Sequence, residues 1–196
     1  HDARRALGTH IAHHLPAEVD LVTALGSSSM PAAAGYAAAG SAVFYPDVVV
    51  EPGSGAPRTG QGQPRLSVVE SLVRGQRVLL LHDSLGPEVP WSTVVRDVRV
   101  AGASEVHVRL TAPPIRFPCP YGVPLMPGGS RVPEKTPPEV QLELGADSVD
   151  WVSLDALRDV LGGDRFCAGC YCGTYPLVHE DLEQPQLSLF EGEPSA

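Results

Sequence analysis

The stretch QRVLLLHDS, residues 76–84, decides the fold. Val78–Leu81 is an unbroken apolar run with no alternation, the pattern of a strand covered on both faces. Such strands belong to parallel sheets sandwiched between helices. The residues that follow fit. WSTVVRDVRVAGA (91–103) reads as a helix closed by Gly102, and EVHVRLTAPP (105–114) as the next strand. Strand, helix, strand is the repeating unit of an α/β fold.

Working outward, VDLVTAL (19–25) is a short strand, GSSSM a loop, and PAAAGYAAAG (31–40) a helix opened by Pro31. DARRALGTHIAHHL (2–15) reads as a helix with Ala6, Ile11 and Leu15 near one face. SAVFYPDVVV (41–50) gives one or two further strands. EPGSGAPRTGQGQPR (51–65) is expected to be a mobile loop, and LSVVESLV (66–73) a short helix. SVDWVSLDALRDVLGG (148–163) holds a strand and then a helix with Asp155 in its first turn. The expectation is a mostly parallel sheet flanked by helices, with a cysteine-containing extension, over residues 1–176. An acidic tail follows at 177–196. Ligands in such sheets sit at the carboxyl ends of the strands, which places GSSS, HDSLGPEVP and TAPPIRFPCPYG on one rim.

Composition bounds the function. The 196 residues suffice for one domain with a real core, and 43% hydrophobic with 19% charged residues is ordinary for a globular protein. Twenty glycines and twenty prolines imply many turns. The net charge of -9 excludes a domain-wide basic footprint for nucleic acid. No apolar run reaches the roughly 18 residues of a membrane span, and the start lacks a signal-peptide core. A cytoplasmic protein is expected. The first residue is not Met, so the chain is expected to begin inside a longer polypeptide. Four cysteines without a secretory signal favour metal or redox chemistry over a disulfide framework.

The segment from Ser84 to Gly122 resembles, without a gap, the phosphoribosyltransferase half of glutamine phosphoribosylpyrophosphate (PRPP) amidotransferases. LGADSVDWVSLDAL (144–157) and FCAGCYCGTYP (166–176) look like that family's later motifs, and the upstream segments match more weakly in the right order. The resemblance implies the type I phosphoribosyltransferase fold, a role in purine biosynthesis and a glutaminase partner outside these residues. A homo-oligomer is a further implied assembly.

The substrate elements depart from that pattern. Where the family cradles the 5′-phosphate with Arg-Gly-Thr-Thr, this chain has Pro87, Glu88, Val89 and Pro90. Both prolines lack an N–H, and Glu88 puts a carboxylate against a phosphate. The two family carboxylates that hold the ribose hydroxyls become His82 and Asp83, followed by Ser84; His82 is either a catalytic base or a histidine simply tolerated at a strand end. Asp83 serves either as that carboxylate or as a loop cap. The pyrophosphate loop becomes Ser27, Ser28 and Ser29, with hydroxyl donors but no glycine for close backbone approach. Arg58 and Arg65 are the remaining candidate phosphate contacts, or solvated loop arginines. Mg²⁺ is implied only if PRPP is still bound. With all three elements eroded together, a non-catalytic cluster-binding scaffold or regulator is expected, against the alternative of an active, divergent transferase.

Cys119, Cys167 and Cys170 match family positions that hold a [4Fe–4S] cluster, which would then take its fourth ligand from outside these residues or from Cys172 as a substitute. Four thiolates suit tetrahedral Zn²⁺ equally, and plain buried cysteines are the third reading. The seven histidines show no ligand spacing. In the tail, QLSLF (186–190) resembles a bacterial sliding-clamp-binding peptide, with Gln186 as hydrogen-bonding residue and Leu187, Leu189 and Phe190 as apolar anchors. The alternative is an amphipathic tail that packs on its own domain.

Overall fold

The computed structural model describes residues 1–46, 48–50, 67–85, 89–121 and 135–177. Arg77–His82 (β5) and Glu105–Leu110 (β6) lie side by side at the centre of a five-stranded sheet. Leu21–Ala24 (β1) and then Val43–Phe44 (β2) extend it on one side, and Ser148–Trp151 (β7) on the other. Every pairing in this sheet is parallel, with Val22 opposite Leu79, Leu80 opposite Val108, and Leu110 opposite Trp151.

The apolar run works as the sequence implies, because successive side chains point to opposite faces. Val78 and Leu80 enter a core with Val94, Val95 and Val98 of Trp91–Val100 (α4) and Val140 of Pro137–Leu144 (α5). Leu79 and Leu81 enter a second core with Leu7 and Ile11 of Asp2–His14 (α1) and Ala32 and Tyr36 of Met30–Ala39 (α2). Leu154–Leu161 (α6) packs on that second face through Ala156, Leu157 and Val160. All four β5 residues Val78–Leu81 are fully buried. At about 25 cal/mol per Å² of apolar surface removed from water, each contributes roughly 1.5–3 kcal/mol.

The helix ends follow their sequence signals. Ser153 accepts a hydrogen bond from the Ala156 amide (3.2 Å) at the start of α6, and Gly162 closes it in the left-handed region. Pro113 and Pro114, which bring no N–H, stop the strand read over 105–114 from running past Leu110. Arg109 is buried, and its charge is met by carbonyls, by the Ser148 hydroxyl (2.9 Å) and by the Asp150 carboxylate 3.8 Å away. It donates to Leu15 (2.8 Å), Pro16 (3.2 Å) and Val108 (2.9 Å), and so fastens the end of α1 to the sheet.

Three expectations change. The buried face of α1 is Leu7, Gly8 and Ile11, while Ala6 is exposed. A Cβ on Gly8 would collide with the Ala32 carbonyl, and one on Gly35 with the Arg5 carbonyl, so two glycines let α1 and α2 touch backbone to backbone. The segment 66–73 is not one helix. Ser67–Val68 (β4) pairs antiparallel with Val49–Val50 (β3), and only Glu70–Val73 (α3) is helical. Pro137–Leu144, unassigned from sequence, is the helix α5. Among the described residues no helix is long and apolar enough to cross a membrane. The tail expected from 177 onward lies, beyond its first residue, outside the described residues.

Candidate functional site

The carboxyl ends of β1, β5 and β6 are locked together. The Leu25 amide donates to the Leu81 carbonyl (2.9 Å), and the Thr111 amide to the His82 carbonyl (3.0 Å). The three loops read from sequence as one rim therefore leave the sheet at one edge.

In the first loop, Gly26 takes a positive φ of 80°, which a glycine adopts freely, and turns the chain into the 3₁₀ turn Ser27–Ser29. Ser27 and Ser28 are exposed. Ser29 is fully buried, and its hydroxyl has no partner among the described residues. The same holds for the Thr23 hydroxyl and the Trp91 indole N–H.

In the second loop, His82 is only 9% exposed. Its Nδ1 lies 2.9 Å from the Ser84 carbonyl and 3.3 Å from the Ser84 amide, and its ring meets Trp91 edge-on at 5.5 Å. The imidazole fixes its own loop and does not stand open to a ligand. Asp83 accepts a hydrogen bond from the Thr111 hydroxyl (3.4 Å), while the same hydroxyl lies 3.5 Å from the Asp83 carbonyl. The single carboxylate at this position is thus partnered across to the β6 loop. Pro87 and Glu88 lie outside the described residues, as do Arg58, Arg65 and the segment Gln186, Leu187, Leu189 and Phe190.

The third loop carries Cys119 and docks on the cysteine-rich extension. The Arg116 and Phe117 amides both donate to the Cys170 carbonyl, at 2.9 and 3.0 Å. The Tyr175 hydroxyl donates to the Pro118 carbonyl, and Tyr121 packs edge-on against Tyr175. Cys170 sits in the one-turn helix Gly169–Cys172 (α7). Gly169 there lies so close to the Tyr175 ring that a Cβ would collide with it. All four thiols are free; Cys119 and Cys170 are partly buried, and Cys167 and Cys172 exposed. Burial pushes the Cys170 thiol above its ordinary range, and the nearby Cys167 and Cys119 thiols add to the effect.

The Cys119 loop is docked on the extension that carries Cys167 and Cys170, and soft thiolates are the donors that iron–sulfur clusters and zinc take. The fourth position is different. The Cys172 thiol donates to the Ala168 carbonyl (3.3 Å) and lies 3.8 Å from the Thr174 carbonyl, so it turns back on its own helix. Among the described residues no three His, Cys, Asp or Glu side chains stand grouped as a ready metal site. The donor set fits a soft metal in kind, with three thiols in one region and no closed four-thiolate cage.

Three residues of this region escaped the sequence reading: Thr111, Trp91 and Tyr171. The Tyr171 phenol is pushed up to about 12, first by burial, then by Cys170, and further by Asp83. Its signal in the sequence was its place inside the C-x-x-C-Tyr run.

No family model matches the chain. Curated proteins do. An amidophosphoribosyltransferase of Glycine max chloroplasts is 31% identical over 201 residues, covering 96% of this chain and 35% of that protein. The Bacillus subtilis amidophosphoribosyltransferase is 30% identical over 204 residues, covering 95% of this chain and 43% of that protein. Among solved structures, the B. subtilis glutamine PRPP amidotransferase complexed with ADP and GMP superposes with a TM-score of 0.77 at 30% identity. It covers 91% of this chain and 43% of that one. An allosteric regulatory enzyme of purine biosynthesis gives 0.76 at 29%, covering 92% and 42%. The chain thus spans well under half the length of these relatives.

Proposed function

Because the chain is a relative of the amidophosphoribosyltransferases along nearly its whole length, we propose that it is the phosphoribosyltransferase-type domain of such a protein, and that it no longer binds PRPP. Its fold is the type I phosphoribosyltransferase fold. The observation that carries the proposal is the state of the strand-end pair. Where two carboxylates are needed for the ribose hydroxyls, His82 is buried and hydrogen-bonded within its own loop, and Asp83 is partnered by Thr111. Pro87, Glu88 and Pro90 in place of a phosphate cradle point the same way.

In this reading the domain serves purine biosynthesis as a scaffold or regulator. Cys119, Cys167 and Cys170 hold a [4Fe–4S] cluster, with zinc as the alternative. Cys172 joins as fourth ligand only if its hydrogen bond to Ala168 breaks; otherwise the fourth ligand comes from outside the described residues. A bound cluster would supply a rigid cross-link between the Cys119 loop and α7. A glutaminase unit and a homo-oligomeric assembly are the partners this reading implies.

Calorimetric titration with PRPP, with and without Mg²⁺, tests the loss of the substrate site. The expected result is no binding. Micromolar, Mg²⁺-dependent binding would overturn it and restore the reading of a working transferase. Anaerobic reconstitution with iron and sulfide, followed by metal analysis of wild type and Cys170→Ser, tests the cluster.

A further inference from the structure

At the amino end of the sheet, opposite the strand-end loops, three side chains of β6 and one of β7 form a hydrogen-bonded chain. Arg109 Nη1 donates to Ser148 Oγ (2.9 Å), which lies 2.8 Å from His107 Nδ1. His107 Nε2 in turn lies 2.9 Å from Glu105 Oε2. The strand register assembles them. His107 stands opposite Ser148, and Glu105, His107 and Arg109 alternate onto one face of β6. Donor and acceptor chemistry allows this chain one polarity. A guanidinium can only donate, so Ser148 Oγ accepts from Arg109 and keeps its own proton for His107. The Glu105 carboxylate accepts, which sets the proton of the neutral imidazole on Nε2 and leaves Nδ1 as the acceptor facing Ser148.

A hydroxyl, a base within reach of its proton, and a carboxylate that orients the base are the parts that activate a serine nucleophile. Here the two ring nitrogens exchange their usual places. Arg109 favours negative charge on Ser148 Oγ as the proton leaves. His107 and Arg109 are buried, which strengthens these interactions, while Ser148 is partly exposed. We propose that Ser148 is an activated nucleophile, with His107 as its general base, that takes the acyl group of small carboxylic esters. Ser148 Oγ bonds to the ester carbonyl carbon as its proton passes to His107 Nδ1. The ester C–O bond then breaks, and His107 returns the proton to the departing alcohol. Water attacks the acyl-serine and gives a proton to His107, which passes it to Ser148 Oγ as the carboxylic acid leaves. Glu105 is a positioning residue. The site lies at the other end of the sheet from His82 and Asp83, so it stands whether or not PRPP binds.

The test treats the 196-residue chain, its thiols alkylated, with diisopropyl fluorophosphate. Ser148 Oγ would displace fluoride at phosphorus, its proton going to His107. The expected result is a phosphoryl adduct on Ser148, mapped by mass spectrometry and absent when the chain is labelled in denaturing urea. His107→Gln should slow labelling by about a hundredfold. Glu105→Ala should slow it by about tenfold, and Glu105→Gln, which keeps an oxygen acceptor for the Nε2 proton, should restore most of the rate. Turnover of p-nitrophenyl acetate should fall to the background of free imidazole in Ser148→Ala. Circular dichroism of each variant establishes that a lost signal is not lost folding. No adduct on the folded wild type, an adduct on another residue, or equal labelling of His107→Gln would overturn the proposal.

Discussion

The Phe117 amide donates to the Cys170 carbonyl at 3.0 Å, and this bond ties the loop of Cys119 to the helix of Cys170 and Cys172. Gly173, which ends that helix at φ 79°, lies beneath the Phe117 ring; a Cβ there would come within 2.9 Å of it. Gly173→Ala is expected to displace the ring and to add about 1–2 kcal/mol of left-handed backbone strain. Cys119 and Cys170, both partly buried, should then alkylate several-fold faster. Iodoacetamide labelling read by mass spectrometry checks this, and unchanged rates at both thiols would refute the docking role.

His82→Asp tests the proposed loss of PRPP binding by placing a second carboxylate at the strand end. The replacement loses the Ser84 hydrogen bonds and the Trp91 contact, and sets a second carboxylate next to Asp83 in a buried position. A destabilisation of about 1–3 kcal/mol is expected, with no gain in PRPP affinity. Denaturant midpoints and calorimetry check both halves. Micromolar PRPP binding by this single variant would show that His82 alone had closed the site.

How much of this was legible in the residues differs by scale. Val78–Leu81 announced the parallel sheet because a strand buried on both faces has no polar alternation to hide. Helix α5 was missed because its period is faint: Val140 is buried, but Leu142 is 85% exposed. Its stronger signal lay in its first turn, where Thr136 and Glu139 form a reciprocal capping box around Pro137 and Pro138. At the site, the residue types were readable but their partners were not. Asp83 meets Thr111 only because β5 and β6 pair in one particular register, 28 residues apart in sequence. The direction of the Cys172 thiol likewise depends on the one-turn helix around it.

Gly8→Ala probes the contact between α1 and α2. The added methyl meets the Ala32 carbonyl, a backbone atom that cannot swing away, so the helices must part. The expected loss is about 1–3 kcal/mol, the usual range for overpacking. Gly35→Ala should cost a similar amount against the Arg5 carbonyl. The double variant should lose less than the sum, because helices already parted by one methyl accommodate the second. Urea denaturation of the three variants decides it; strictly additive losses would mean that the two contacts open independently.

The amino end of the sheet has its own acid sensitivity. Asp20 accepts hydrogen bonds from the Arg77 amide (2.9 Å), Nε (3.2 Å) and Nη2 (2.9 Å). The Arg77 side chain and amide hold its carboxyl at about 2, below its ordinary 3.8. The folded value lies below the unfolded one, so the folded state binds this proton less readily. Its stabilising contribution is complete above about pH 4 and fades as the pH falls towards 2. Asp20→Asn should therefore lower the urea midpoint at pH 7 and leave a shallower decline between pH 4 and 2. Other carboxylates titrate in the same window, Glu139 among them with a carboxyl held low by Thr136. The informative quantity is the difference between the wild-type and variant curves. That difference should shrink steadily as the pH drops through the window, and a constant offset would mean that Asp20 acts through packing alone.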